Sequence, residues 1–477
     1  MTGNIRACNA RHKTRFSWPS CDGSHEQRTT NACKRQTHDV ETMNTITSGL
    51  ASAQRQQLES RAYSKATLRL LPFLFLCDVA AYLDRVNVGF AKLQMLSDLQ
   101  FSETVYGLGA GIFFIGYFFF EVPSNLLMHR VGARRWIARI MLTWAVISAA
   151  SLFVKTPTQF YLVRFLLGVA EAGFFPGIVL YLTYWFPAAR RSRMNALFMI
   201  GIPVAGVLGG PLSGWILAAF DGRDGWASWQ WLFFIEALPS FVLGVITLFY
   251  LPNSIRAAKW LSNEERAVLE ENIEQEQAGK GHASVASVFS NGRVWLMALI
   301  YFCCMMGLYG ISFYLPTLIK ASGVKSALDV GLLTAIPYAC AVFSMLFVAK
   351  SADRSGERRW HFAIASLAAA LGLYLSTVFG HNVPLAMLAL SVGAAGMLAT
   401  MPVFWAWPSA ILAGGSAAAA IGMINSIGNL AGFVSPTIIG WMKDVTHSTN
   451  AGMYCVAAAM VLGAAFSLLQ PKEIVNG

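Results

Sequence analysis

The chain has 477 residues, 55% of them hydrophobic and only 13% charged, with a formal net charge of +11. Soluble domains carry about 25% charged residues, so this composition excludes an ordinary soluble enzyme and indicates a membrane protein with many spans. The basic residues sit beside apolar runs rather than in a basic soluble domain. Loop orientation and anionic lipid account for them, and no nucleic-acid partner is expected.

Residues 1–60 read as a disordered cytosolic tail, rich in Arg and Lys and without the apolar core of a secretory signal. Residues 1–42 also read as upstream sequence ahead of a start at Met43. Of eight cysteines, Cys8, Cys21 and Cys33 lie in this tail at a spacing that fits no zinc pattern, and the others lie in apolar runs. No metal and no cofactor are expected.

Twelve apolar runs follow, near 66–90, 105–127, 136–154, 158–184, 193–219, 229–251, 293–319, 327–349, 360–380, 383–405, 416–441 and 451–470. Each approaches the ~20 residues needed to cross a bilayer as a helix. The expected fold is therefore an all-α membrane protein of twelve transmembrane helices in two six-helix bundles, 61–251 and 293–472. The linker, 252–292, reads as a short solvated helix capped by Ser262 or Asn263. With the N-terminus inside, three inner loops carry ten Lys/Arg (Arg130, Arg134, Arg135; Arg190, Arg191, Arg193; Lys350, Arg354, Arg358, Arg359). The outer loops carry six: Lys92, Lys155, Arg223, Lys320, Lys325 and Lys443. Both termini are thus expected in the cytoplasm.

A repeat supports the two halves. His129-Arg130-Val131-Gly132-Ala133-Arg134-Arg135 and Asp353-Arg354-Ser355-Gly356-Glu357-Arg358-Arg359 lie 224 residues apart, at equivalent positions after the second span of each half. Arg130, Gly132 and Arg134, with Asp353, Arg354, Gly356 and Arg358, are the candidate gating loops.

Four charges lie inside spans: Asp84, Arg85, Arg164 and Glu171. Each costs roughly 2.5–3.5 kcal/mol at a bilayer centre. Asp84 is expected about six residues from the outer end of span one and Arg164 about six from the outer start of span four, hence at similar depth. Glu171 lies two turns deeper on the face of Arg164. A balanced cluster joining spans one and four is expected. Asp78, Glu121 and Glu236 are further buried acids, and Asp78 shares a helix face with Arg85. Arg85 is the first choice to hold a carboxylate, since guanidinium offers a bidentate fork. Asp84 and Glu171 are the candidate proton carriers, since proton affinity responds to burial and neighbouring charge. The competing reading is a permanent ion-pair cluster that only ties two helices. Gly201-Ile202-Pro203, Gly209-Gly210-Pro211, Pro402 and Pro408 read as span breaks or packing kinks.

The two basic turns and the six-plus-six spans resemble the major facilitator superfamily, although His129 stands where that signature usually has aspartate. Leu83-Asp84-Arg85-Val86-Asn87, Glu121-Val122-Pro123-Ser124-Asn125, Arg164 to Gly173, Tyr309 to Pro316 and Asn425 to Asn429 are similar to its anion:cation symporter branch, most closely to bacterial tartrate-transporter-like members. The resemblance covers about residues 60–472. It implies import of a small organic anion (a tartrate-like dicarboxylate, sugar acid or aromatic acid) with protons, by alternating access, in a bacterial inner membrane. It also implies that Tyr82 and Tyr117 contact substrate. Asn425 in a glycine-rich span, and Trp405 or Trp407 before Pro408, are further candidates, with Tyr309 and Tyr314 of open direction. Ile202 falls where sugar-acid members carry glutamine, which leaves room for a shorter or more apolar acid. A monomer in the lipid bilayer is expected, and no enzyme: no nucleophile–base pair, metal cluster or phosphate loop is legible. An uncoupled facilitator or exchanger, and a carboxylate sensor, are the competing functions.

Overall fold

The computed structural model describes residues 24–278, 289–411 and 415–476. Helix α1 (Ser24–Val86) begins within the stretch expected to be a disordered tail. Its residues up to Arg61 belong to one compact unit, and Ala62–Gly477 form another. Cys8 and Cys21 lie outside the described residues.

Among the described residues, eleven helical segments are long and apolar enough to cross a membrane. The twelfth crossing is a broken helix, α15 (Gly415–Asn429) and α16 (Ala431–Thr446), interrupted at Leu430. Its pieces of 15 and 16 residues rise only ~23 Å each and cross together. Spans one, four and five are also built from two pieces: α1 with α2 (Val88–Leu99), α5 (Pro157–Glu171) with α6 (Phe174–Thr183), and α7 (Ala188–Met199) with α8 (Gly201–Ala219). The remaining spans are α3 (Glu103–Val131), α4 (Ala133–Ala150), α9 (Ser228–Tyr250), α11 (Gly292–Ala321), α12 (Ala327–Ser355), α13 (Arg358–Val378), α14 (Val383–Ile411) and α17 (Thr449–Leu468). α8 begins at Gly201, after the interruption at Ile200, but Pro211, Pro402 and Pro408 all lie inside unbroken helices. The breaks fall at Asn87, Ala172–Gly173, Ile200 and Leu430 instead. Gly173 sits at φ +86°, a conformation that permits the turn between α5 and α6.

Span one is longer than its apolar run suggests. Val88, Phe90, Ala91 and Met95 continue its buried face until Gln100, in the left-handed conformation, ends it. Arg85 and Glu171 are therefore level: each lies 14 residues, ~21 Å of rise, from the helix ends at Leu99 and Pro157. Arg164, seven residues from Pro157, is about 10 Å nearer that end. The equal depth expected for Asp84 and Arg164 does not hold.

The two halves are related helix by helix. α3 packs on α5, as α12 packs on α14, and α4 on α9, as α13 on α17. Between halves, α3 meets α16 and α8 meets α12, the same pairing with roles exchanged. Both seams are backbone-close. A Cβ on Gly107 would lie 2.3 Å from the Pro436 carbonyl oxygen, and one on Gly331 2.3 Å from that of Gly210.

The basic turns repeat this symmetry in detail. Gly132 (φ +93°) and Gly356 (φ +67°) turn the chain into α4 and α13. The Asn253 Oδ1 accepts from the Arg134 amide at 3.0 Å, and the Asn476 Oδ1 accepts from the Arg358 amide at 2.9 Å. An asparagine that follows the last helix of each half thus caps the third helix of that half. Asp353 pairs with Arg358 at 3.7 Å, whereas His129 lies edge-on to Tyr184. Arg130 and Arg354 are exposed. The side chain of Arg193 lies outside the described residues.

The linker helix α10 (Asn263–Ala278) starts on a reciprocal cap. Ser262 Oγ accepts from the Glu265 amide (3.1 Å) and Glu265 Oε2 from the Ser262 amide (2.9 Å). It is not the solvated helix expected. Leu261, Leu269 and Ile273 are buried, and Glu265 pairs with Lys65 of α1 at 2.6 Å.

Candidate functional site

A cavity lies between the halves, lined from α1, α3, α6, α7, α8, α11, α12, α14 and α15. Four expected site residues, Tyr82, Arg85, Tyr117 and Asn425, open onto it. Tyr309 and Ile202 line it too. Tyr314 does not: its hydroxyl donates to the Pro436 carbonyl, 3.1 Å away. Trp405 and Trp407 stand behind the wall, with Trp405 edge-on to the lining residue Tyr301 at 5.0 Å and Trp407 fully buried against Phe362 and Phe404.

Arg85 Nε donates to Glu171 Oε1 at 3.1 Å, and Nη2 makes a closer second bond to the same oxygen. Its guanidinium lies 5.5 Å from the Phe113 ring and 5.6 Å from that of Tyr117, a cation–π seat. Glu171 is fully buried, and its Oε2 has no hydrogen-bond partner among the described residues. It is the last residue of α5, at the break before Gly173. The pair joins spans one and four.

The other two charges of the expected cluster lie elsewhere. Asp84, fully buried, accepts from Trp144 Nε1 (3.0 Å), Ser148 Oγ (2.8 Å) and Ser240 Oγ, a wall made by α4 and α9. Consecutive helical residues point ~100° apart, so Asp84 turns to this wall while Arg85 turns to the cavity. Arg164 makes long contacts of 3.4 and 3.5 Å to the Gly109 and Ala110 carbonyls and lies under Phe113. Asp78 packs against Gly201, where a Cβ would come within 2.5 Å of its carboxylate. Glu236 accepts from Ser213 Oγ at 2.5 Å.

Two further groups join the halves, and the sequence had marked Glu121 and Asn425 separately but not as partners. Glu121 of α3 accepts from Asn425 Nδ2 (2.8 Å) and Ser426 Oγ (3.1 Å) on α15. At the end of the molecule where α3 begins, the Asp444 carboxylate accepts from the Thr104 amide (2.7 Å) and the Glu103 amide (3.2 Å). Glu103 also pairs with Lys443 and with buried Lys92, at 2.7 Å for the latter. Lys92 is held between Tyr106 and Tyr314, 4.6 and 4.1 Å from their centroids. This network ties the two halves together at that end. Of its residues the sequence had marked Lys92 and Lys443, as outer-loop lysines.

The model of the Major Facilitator Superfamily matches residues 74–436. A protein of Agrobacterium vitis named "Putative tartrate transporter" is 49% identical over 418 residues, which is 87% of this chain and 92% of that protein. The "Putative metabolite transport protein NicT" of Pseudomonas putida is 46% identical over 87% of this chain and 95% of its own length. Among solved structures, a D-xylose–proton symporter superposes with a TM-score of 0.68 at 17% identity, covering 84% of this chain and 97% of that one. An inward-facing bacterial homologue of the lysosomal transporter Spinster gives 0.67 at 15%, covering 86% and 96%.

Proposed function

Since this chain belongs to the Major Facilitator Superfamily, and so is an integral membrane transporter of a small molecule and not an enzyme, we propose that it imports a small organic carboxylate together with protons. The observation that carries this reading is the Arg85–Glu171 pair on the cavity. One guanidinium faces two anions. An incoming carboxylate can take Arg85 only as Glu171 gives it up, and a proton on Glu171 releases it without leaving an unpaired buried charge. Substrate and proton therefore enter as a set. The tartrate-transporter name of a relative at 49% identity supports the same substrate class.

Asp84 takes part as a second carboxylate on span one whose three donors lie on α4 and α9. Protonation there would loosen α1 from that wall and couple charge to helix movement. The excess of Lys and Arg in the inner loops supports a reading with both termini in the cytoplasm, and the bacterial relatives support an inner membrane. The Glu103–Lys443–Asp444 network then faces outward, the protein stands closed to the outside, and it works as a monomer of two rocking bundles. The exposed turn residues Arg130 and Arg354, with Arg134 and Arg358 at the caps, line the inner gate.

The test is uptake into proteoliposomes holding the purified full chain. An imposed inward proton gradient drives accumulation of a labelled carboxylate above its equilibrium level, and a protonophore collapses it. Equal uptake with and without the gradient contradicts coupling.

A further inference from the structure

Resting on that reading, we infer that the carried acid is a monoanion built on an aromatic or similarly flat apolar ring, not a polyhydroxylated or dicarboxylic acid. Charge gives the first argument. Among the described residues, Arg85 is the one cation on the cavity lining. It faces Glu171, and a second carboxylate, Glu121, stands behind Asn425 and accepts from Asn425 and Ser426. Arg164, the other deep guanidinium, is not on this lining and lies against the Gly109 and Ala110 carbonyls at 3.4 and 3.5 Å. A site with one guanidinium and two nearby carboxylates neutralises one substrate charge. The second carboxylate of a dicarboxylic acid would be buried unpaired, at a cost that burial imposes on any lone ion.

The polar groups give the second. Tyr82 and Ser312 hydroxyls bond each other at 2.7 Å, Tyr309 donates to Asn429 Oδ1 at 3.0 Å, and Asn425 donates to Glu121. These groups are engaged without a ligand, so a row of substrate hydroxyls would have to break bonds to make bonds. The rest of the lining is soft and apolar: Met199, Ile202, Met305, Met345, Leu398 and Met401. Methionine sulfur packs favourably against ring edges and adapts to shape. Tyr117, Tyr301 and Phe175 supply aromatic faces for an offset stack. A ring held by these walls can set its carboxylate at Arg85 without breaking the Tyr82–Ser312, Tyr309–Asn429 or Asn425–Glu121 bonds.

The experiment is direct binding by calorimetry of the purified full chain with three probes, benzoate, L-tartrate and D-gluconate. The inference predicts that benzoate binds at least about tenfold more tightly than the other two. It also predicts that Met305→Gln and Ile202→Gln, each placing an amide in the apolar wall, cut the benzoate-to-tartrate affinity ratio by about tenfold. Two variants are used so that misfolding of one leaves the other. Tighter binding of L-tartrate or gluconate, abolished by Arg85→Ala, overturns the ring monoanion and leaves the carboxylate reading standing. Binding of no probe, or benzoate binding indifferent to Arg85→Ala, overturns both.

Discussion

Arg85 and Glu171 stand at one depth on two different helices, 14 residues from neighbouring helix ends, and bond across the cavity wall at 3.1 Å from Nε to Oε1. Each sits within two residues of a helix interruption, at Asn87 and at Ala172–Gly173. The pair therefore lies where both helices can bend. A carboxylate that replaces Glu171 at Arg85 changes the contact that ties span one to span four.

Arg85→Lys should keep the charge and lose the fork. Charge-assisted bonds contribute roughly 1.5–3 kcal/mol, and lysine offers a single ammonium where Arg85 offers two N–H groups to one oxygen. Carboxylate affinity should fall about 10- to 100-fold, read by the same calorimetry, with the melting temperature little changed. Affinity within threefold of wild type would contradict a bidentate role for Arg85.

Asp84→Asn should separate binding from movement. The side chain is sealed from the cavity and accepts three bonds. An amide there leaves at least one donor of Trp144, Ser148 or Ser240 opposed by another donor, a loss of about 1–3 kcal/mol. Thermal stability should drop while carboxylate affinity stays within a few-fold and net uptake collapses. A variant with wild-type uptake would remove Asp84 from the coupling path.

Glu103→Gln should unseal one end. It removes the charge that holds Lys443 and Lys92 together and leaves buried Lys92 without its partner charge, which is destabilising. A cysteine placed at cavity residue Leu308 should then react faster with a membrane-impermeant thiol reagent added outside, judged against the same cysteine in the intact network. Unchanged labelling would show that the network does not close that end.

The paired caps make a quantitative test of the repeat. Asn253→Ala and Asn476→Ala each remove an acceptor from a helix start, a loss of about 1 kcal/mol. Sites this far apart in separate halves should add. Melting of the double variant at the sum of the single shifts is the expected result.

Much of this arrangement was legible beforehand. The twelve runs, the repeated basic turn and the helix capped at Ser262 follow from hydropathy and spacing, and Tyr82, Arg85, Tyr117 and Asn425 do line one cavity. The depth estimate failed because Val88 to Leu99 looks like a loop flank when Lys92 and Asp98 interrupt its apolar pattern. Lys92 is in fact buried between two tyrosine rings. The four-charge cluster failed for a reason already contained in the sequence: adjacent residues on a helix cannot share a face, so Asp84 and Arg85 had to part. Long-range partners such as Glu121 with Asn425, 304 residues apart, carry no local signal at all. Nor do the capping asparagines, which act on helices other than their own.

The exchange of Glu171 for a substrate carboxylate at Arg85 is tested most directly by Glu171→Gln in proteoliposomes. The glutamine cannot take or release a proton and leaves Arg85 free. Counterflow of labelled acid against unlabelled acid should persist at near wild-type rate, while accumulation driven by a proton gradient should fall to the equilibrium level. Accumulation that survives in this variant, still sensitive to protonophore, would contradict the account.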